Sequence, residues 1–114
     1  MNILITGGAG YIGSTVAWLF VDRGHKVTVI DNLSKGNRFN IPKKSKFLKI
    51  DISDTKSLDK YINTKFDVVL HFAAFIDNEE SKFKKKLYLN NNYRKSKIFL
   101  DFCLNKGIKN EVWF

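Results

Sequence analysis

The sequence predicts an α/β protein whose doubly wound parallel sheet has about five strands in the order 3-2-1-4-5. Three observations carry this expectation. Apolar runs of strand length alternate with segments of helical periodicity, a glycine cluster follows the first run directly, and an acidic residue closes the second run about 20 residues beyond the glycines.

The first strand is Asn2-Ile3-Leu4-Ile5-Thr6, which breaks into Gly7-Gly8-Ala9-Gly10-Tyr11-Ile12-Gly13. Gly7, Gly10 and Gly13 are spaced G-x-x-G-x-x-G, and Gly8 to Gly13 also contains G-x-G-x-x-G. A bound pyrophosphate explains the spacing. Gly7 lets the chain turn sharply off the strand, Gly10 has no Cβ to obstruct the diphosphate, and Gly13 lets the following helix pack tightly on the sheet. The free N–H groups of that helix's first turn then face the phosphates, with the positive end of the helix dipole behind them. A Gly-rich turn with no ligand is the bland alternative; the strand before, the amphipathic segment after and the acid beyond favour a Rossmann-like dinucleotide-binding unit.

In the first helix Ile12, Val16, Leu19 and Phe20 recur at helical spacing, and Gly24 supplies a stop. The second strand, Lys26 to Ile30, leads to Asp31. A carboxylate there can accept hydrogen bonds from the adenosine ribose and would repel a 2′-phosphate, which favours NAD over NADP. An Asp followed by Asn32 and Ser34 also suits the start of a turn, and it is the preceding glycines that favour the ribose role. Residues 32–45 read as a loop punctuated by Ser34, Gly36, Asn37 and Pro42. A third strand, Lys46 to Ile50, closes on Asp51-Ile52; Ser53 or Asp54 can cap the next helix, whose inward face would carry Leu58, Tyr61 and Ile62.

The continuous apolar run Phe66 to Ala74 predicts a central parallel strand buried on both faces, with small alanines where a ligand approaches its carboxyl end. A long helical stretch from about Glu80 to Lys106 stops at Gly107, and Glu111-Val112-Trp113-Phe114 reads as a fifth strand in which the chain ends. Right-handed crossovers then set the strand order and place the cofactor crevice at the carboxyl ends of strands 1 and 4.

With 114 residues, 44% of them hydrophobic, the chain can form one core but not two, so residues 1–114 are expected to be a single domain. The net charge of +9 comes from lysine clusters over residues 35–49 and 82–97. Those lysines lack an aromatic stacking platform, so a solvated surface is expected rather than a nucleic-acid partner. The single cysteine, Cys103, lies in an apolar segment and reads as a buried small residue; no disulfide within the chain is available, which suits a reducing compartment. Without a basic n-region or a run of about 20 apolar residues, neither a secretory signal nor a membrane partner is expected, and the predicted location is cytoplasmic. No metal site is expected.

The stretches Thr6 to Gly13, Asp31-Asn32-Leu33, Asp51-Ile52, His71-Phe72-Ala73-Ala74-Phe75-Ile76, Glu80-Ser81 and Asn91-Asn92 together resemble the extended short-chain dehydrogenase/reductase family, in its NAD-dependent epimerase/dehydratase branch. The resemblance covers the whole chain. It implies that Tyr11 and Ile12 lie beneath the diphosphate and that Asp31 and Asn32, with the turn from Leu33 to Gly36, hold the adenosine ribose. Asp51 and Ile52 would meet the adenine edge, Phe72, Ala73 and Ala74 would line the path toward the nicotinamide, and Asn92 would support the cofactor. Ile76 stands where some family members have a lysine, and Asp77, Asn78 and Glu79 depart from the usual small and apolar residues of the substrate-side loop. His71 reads as a structural residue at a strand end rather than a general base.

Members of the family oxidise a sugar hydroxyl with a Tyr-x-x-x-Lys pair and a nearby Ser or Thr. A phenol with an ordinary pKa of about 10 needs an adjacent ammonium to act as a base near neutrality. Tyr61-x-x-x-Lys65 and Tyr93-x-x-x-Lys97 match the spacing, but both precede strand 5, whereas the family's pair follows it, so both are expected to be chance matches. The resemblance therefore implies a truncated, NAD-binding front portion with no catalytic residue, of an enzyme interconverting UDP-glucose and UDP-galactose through transient C4 oxidation. Nucleotide-sugar binding would require a C-terminal part. A nucleotide-sugar dehydratase or decarboxylase, a non-catalytic NAD-binding remnant and a split-enzyme subunit share the same front half. Val112, Trp113 and Phe114, uncovered at the strand edge, are expected to favour self-association.

Overall fold

The structure, a computed structural model, describes residues 1–62, 65–73, 93–108 and 110–113, and the Trp113 side chain is not described. The elements in order are β1 (Asn2–Thr6), α1 (Tyr11–Asp22), β2 (Lys26–Asp31), a 3-10 turn (Arg38–Asn40), β3 (Lys46–Lys49), α2 (Thr55–Tyr61) and β4 (Val68–His71). A helix over residues 93–105, here α3, and β5 (Glu111–Trp113) complete them. All the strands pair in parallel in the order β3-β2-β1-β4-β5, the predicted topology.

Alternation along β1 divides the core. Ile3 and Ile5 join Val27, Val29 and Ala17 on the face covered by α1, whereas Leu4 joins Ile30, Val69, Leu58 and Phe99 on the face covered by α2 and α3. With both faces covered, β1 can be apolar throughout, and Ile3, Leu4 and Ile5 are fully buried.

The inward face of α1 differs from the one the apolar spacing suggests. Gly13, Ser14 and Ala17 are its buried residues, with Val16, Phe20 and Val21 partly buried behind them, while Ile12 and Leu19 are exposed. Close approach of the helix to the glycine loop selects small residues, which turns the larger Ile12 and Leu19 outward. The helix ends as expected: Gly24, at φ +84°, lets the His25 N–H donate to Phe20 O and its own N–H donate to Val21 O.

Asp54 caps α2 by accepting from the Ser57 N–H, and Leu58 and Ile62, four residues apart, face the core. Tyr61, expected on that face, is instead half exposed at the helix end, with the Lys60 ammonium over its ring. In so short a helix only one i, i+4 pair can point inward. The described part of the long helix ends where Gly107 was expected to stop it, and the Ile108 N–H donates to Cys103 O. Its expected start near Glu80 lies outside the described residues. Cys103 is buried, and burial together with the neighbouring Glu111 carboxylate pushes its thiol above the ordinary range.

Candidate functional site

A cleft opens at the carboxyl ends of β1 to β4. Nine of the residues predicted from sequence line it: Gly7, Gly10, Asp31, Asn32, Gly36, Asp51, Ile52, Phe72 and Ala73. Tyr11, Ile12, Gly13 and Leu33 are not among its lining residues. Ala74 and Asn92 lie outside the described residues.

The glycine loop is held almost entirely by backbone. Gly7 sits at φ +70°, donates to Ile30 O, and abuts the β4 end so closely that a Cβ there would lie 2.7 Å from Phe72 and Ala73 backbone atoms. A Cβ on Gly13 would overlap Gly7 O, so the tight contact expected of Gly13 is made to the glycine loop itself. Gly10 is different. Among the described residues a Cβ there would meet only Gly7 O, at an ordinary 3.5 Å, so none of them occupies the space in front of Gly10. Gly10 is also the N-cap of α1 and has no side chain to satisfy the first-turn N–H groups, while Tyr11 and Ile12 at that turn are exposed. The arrangement leaves backbone donors and the positive helix end facing solvent beside open space.

Asp31 clamps this loop to the next one. One carboxylate oxygen accepts from the Ala9 N–H (2.9 Å) and the other from the Leu33 N–H (2.8 Å), so the residue does begin a turn, one that holds Leu33 at φ +61°. The following loop then lies on Ala9: Asn37 N–H and Asn40 Nδ2 both donate to Ala9 O, and a Cβ on Gly36 would stand 2.6 Å from Ala9. Leu33 itself packs into the α1-side core.

The opposite wall is built from side chains. Asp51 follows β3; one of its oxygens accepts from the Ser53 N–H and Oγ, and the other accepts from Lys95 Nζ at 2.8 Å and Asn32 Nδ2 at 3.4 Å. Burial would raise the Asp51 carboxyl, but the hydrogen bonds from Lys95 and Ser53 and the ammonium charge hold it well below the usual range. Sequence reading missed Lys95, which lines the cleft from α3. It sits in a lysine-rich segment that reads as solvated surface, and only the partnership with Asp51, 44 residues away, sets it apart.

Behind that wall lies His71, buried at the end of β4 and stacked on Phe99. Thr6 Oγ1 accepts from the Ala73 N–H and is 2.7 Å from His71 Nδ1, so its hydroxyl proton is placed to donate to the ring; Nε2 then donates to Ser96 Oγ at 2.9 Å. Burial lowers the His71 pKa to about 4, which keeps the ring neutral and suits a structural role. Neither Tyr-x-x-x-Lys match faces the cleft. Tyr61 and Lys65 do not line it, Tyr93 is 72% exposed, and Lys97 pairs with Asp101 on the surface of α3.

Fold and cleft together define an α/β protein of the Rossmann-like class. Residues 3–114 match the model of the NAD-dependent epimerase/dehydratase family, and the chain belongs to that family. It is 39% identical to the UDP-glucose 4-epimerase of Streptomyces lividans over 112 residues, which is 96% of this chain and 34% of that protein. A crystal structure of a UDP-glucose 4-epimerase superposes with a TM-score of 0.92 at 34% identity, over 99% of this chain and 35% of that one. The UDP-glucose 4-epimerase of Thermus thermophilus, solved in complex with NAD, superposes at 0.84 with 30% identity, over 97% of this chain and 36% of that one. The chain thus spans about a third of the length of these relatives. Among the described residues no helix is long and apolar enough to cross a membrane, and no group of side chains could hold a metal ion.

Proposed function

We propose that residues 1–114 form an NAD-binding domain, the N-terminal portion of a UDP-glucose 4-epimerase-like enzyme that interconverts UDP-glucose and UDP-galactose. The open space at Gly10, beside an uncapped helix N-terminus and opposite the Asp31 carboxylate, carries this reading. A diphosphate fits there: Gly7, Gly10 and Gly13 and the first-turn N–H groups of Tyr11 and Ile12 would hold it, with Asp31, Asn32, Leu33 and Gly36 on the ribose side. Asp51 and Ile52 would flank the adenine, and Phe72, Ala73, Ala74 and Asn92 would continue the site toward the nicotinamide. Bound NAD would supply a hydride acceptor for the sugar C4. The base, the Ser or Thr beside it and the uridine-binding surface are assigned to polypeptide outside this chain.

The same reading puts NAD ahead of NADP, because Asp31 stands on the cleft wall where a 2′-phosphate would meet a like charge. Calorimetry with the two cofactors tests it: tighter binding of NAD is expected, and Asp31→Asn should narrow the gap. Equal or tighter NADP binding would remove the role given to Asp31. Purified protein should show no turnover of UDP-galactose in a coupled assay. A cytoplasmic setting suits the buried, protonated Cys103 thiol. Self-association through β5 belongs to the proposal too: β5 pairs only with β4 among the described residues, and Val112 is 43% exposed. Light scattering should detect oligomers, and a monodisperse monomer would end that part of the reading.

A further inference from the structure

Asp51 is a saturated acceptor. A carboxylate has about four lone-pair sites, and Ser53 N–H, Ser53 Oγ, Asn32 Nδ2 and Lys95 Nζ occupy them. Little acceptor capacity is left for a ligand, although Asp51 lines the cleft. Lys95 is in the converse position: it also lines the cleft, and one of its three N–H donors is used by Asp51, with no further partner among the described residues.

We propose that Lys95 is the ligand-contacting donor on the adenosine side of the cleft, with Asp51 and Asn32 as its positioning residues. This rests on the reading of the cleft as a dinucleotide site and assigns it a residue outside the glycine loop. The pair ties α3 to the end of β3 within one wall of the cleft, so the ammonium is held there rather than left to wander on its flexible stem. It is placed for acceptors: ring nitrogens of a purine, ribose oxygens or phosphate oxygens. Its charge also matters. Asp31 and Asp51 line the same cleft, and without Lys95 the approach of an anionic dinucleotide would meet an uncompensated Asp51.

The test is calorimetric titration of the full 114-residue chain with NAD, in wild type, Lys95→Met, Asp51→Asn, the double variant, and Lys97→Met as a control for surface charge. Lys95→Met should weaken NAD binding by on the order of tenfold, the worth of a charge-assisted hydrogen bond. Asp51→Asn should weaken it less, and adding it to Lys95→Met should not weaken binding further and should recover part of the loss, since the carboxylate that Lys95 compensates is then gone. Lys97→Met should bind as wild type. Thermal melts of each variant separate this from a structural role, which would lower the melting temperature and leave the affinity unchanged. Wild-type affinity, or tighter binding, in Lys95→Met overturns the proposal while leaving the dinucleotide site intact. Failure of the folded wild type to bind NAD overturns both.

Discussion

The part of the cleft built by the loops after β1 and β2 is backbone set against backbone, whereas the wall built by the ends of β3 and β4 and by α3 is side chain set against side chain. On the first, Gly7, Gly13 and Gly36 approach neighbouring main chain so closely that none has room for a Cβ, and the Asp31 carboxylate bonds only to main-chain N–H groups in these contacts. On the second, His71 meets Thr6 and Ser96, and Asp51 meets Lys95, Asn32 and Ser53. A wall of the first kind has no room for an added atom at Gly7, Gly13 or Gly36. One of the second kind accepts substitutions of similar shape and responds to pH and charge.

The strongest test of that contrast is Gly7→Ala against Gly24→Ala. Both glycines have positive φ, but a Cβ on Gly24 meets no described residue within 4 Å, whereas one on Gly7 meets the Phe72 and Ala73 backbone just beyond β4 at 2.7 Å. Gly24→Ala should cost about 1 kcal/mol, the conformational penalty alone. Gly7→Ala adds overpacking against main chain that cannot swing aside, for a total of about 4 kcal/mol. Urea unfolding compares the two, and equal losses would mean that the loop yields as easily as a free helix end.

Next in size is the acid response of the other wall. His71 has a pKa of about 4 in the folded chain against an ordinary 6.5, so between those values the unfolded state binds the extra proton. Stability should therefore be full above about pH 6.5 and fall as pH drops toward 4, by about 3 kcal/mol in all. Asp51, whose carboxyl is also lowered, acts in the same direction but in a more acid window: its contribution is present above its ordinary 3.8 and is lost as pH falls below it. Urea midpoints from pH 7.5 to 4.5 should show the decline in wild type and lose most of it in His71→Gln. A decline of the same size in the variant would assign the acid response to other groups.

This division also explains what could be read in advance. Strand order, the loop at Gly7 to Gly13 and the place of Asp31 were legible because each depends on a local demand: continuous apolar runs of strand length, a turn only glycine can make, an acid at a strand end. Lys95 was not, because its partner is 44 residues away and nothing in a lysine cluster marks one member. Tyr61 and Leu19 were misplaced for a related reason. Apolar spacing gives a helix's period, but which neighbour the helix packs against decides its inward face, and a glycine loop selects small residues such as Ala17.

Gly10→Ala sharpens the comparison by separating fold from site on the first wall. Gly10 has ordinary extended backbone angles and room for a methyl group, so stability should fall by less than about 1 kcal/mol, the difference between glycine and alanine at an N-cap. The methyl would occupy the space assigned to the diphosphate, and NAD binding should be lost in calorimetry although the melt is nearly unchanged. Retained affinity would move the phosphates away from Gly10.

The smallest effects are expected on the outer face of α3, and they mark where the second wall stops. Lys95 and Ser96 reach inward to Asp51 and His71, whereas Tyr93 is 72% exposed and Lys97 reaches Asp101 at 3.3 Å with both side chains more than half exposed. A solvated i, i+4 ion pair contributes only about 0.3 to 0.5 kcal/mol, and salt screens it further. Lys97→Ala and Asp101→Ala should each stay within that range, and Tyr93→Phe should lose nothing measurable, with NAD affinity unchanged in all three. The Tyr93-x-x-x-Lys97 spacing gives the prediction its value. A phenol serving as a base needs the lysine ammonium beside it, but here the ammonium is drawn to Asp101 on the solvent side of the helix. UDP-galactose turnover abolished by Tyr93→Phe would show that this face belongs to the active site after all.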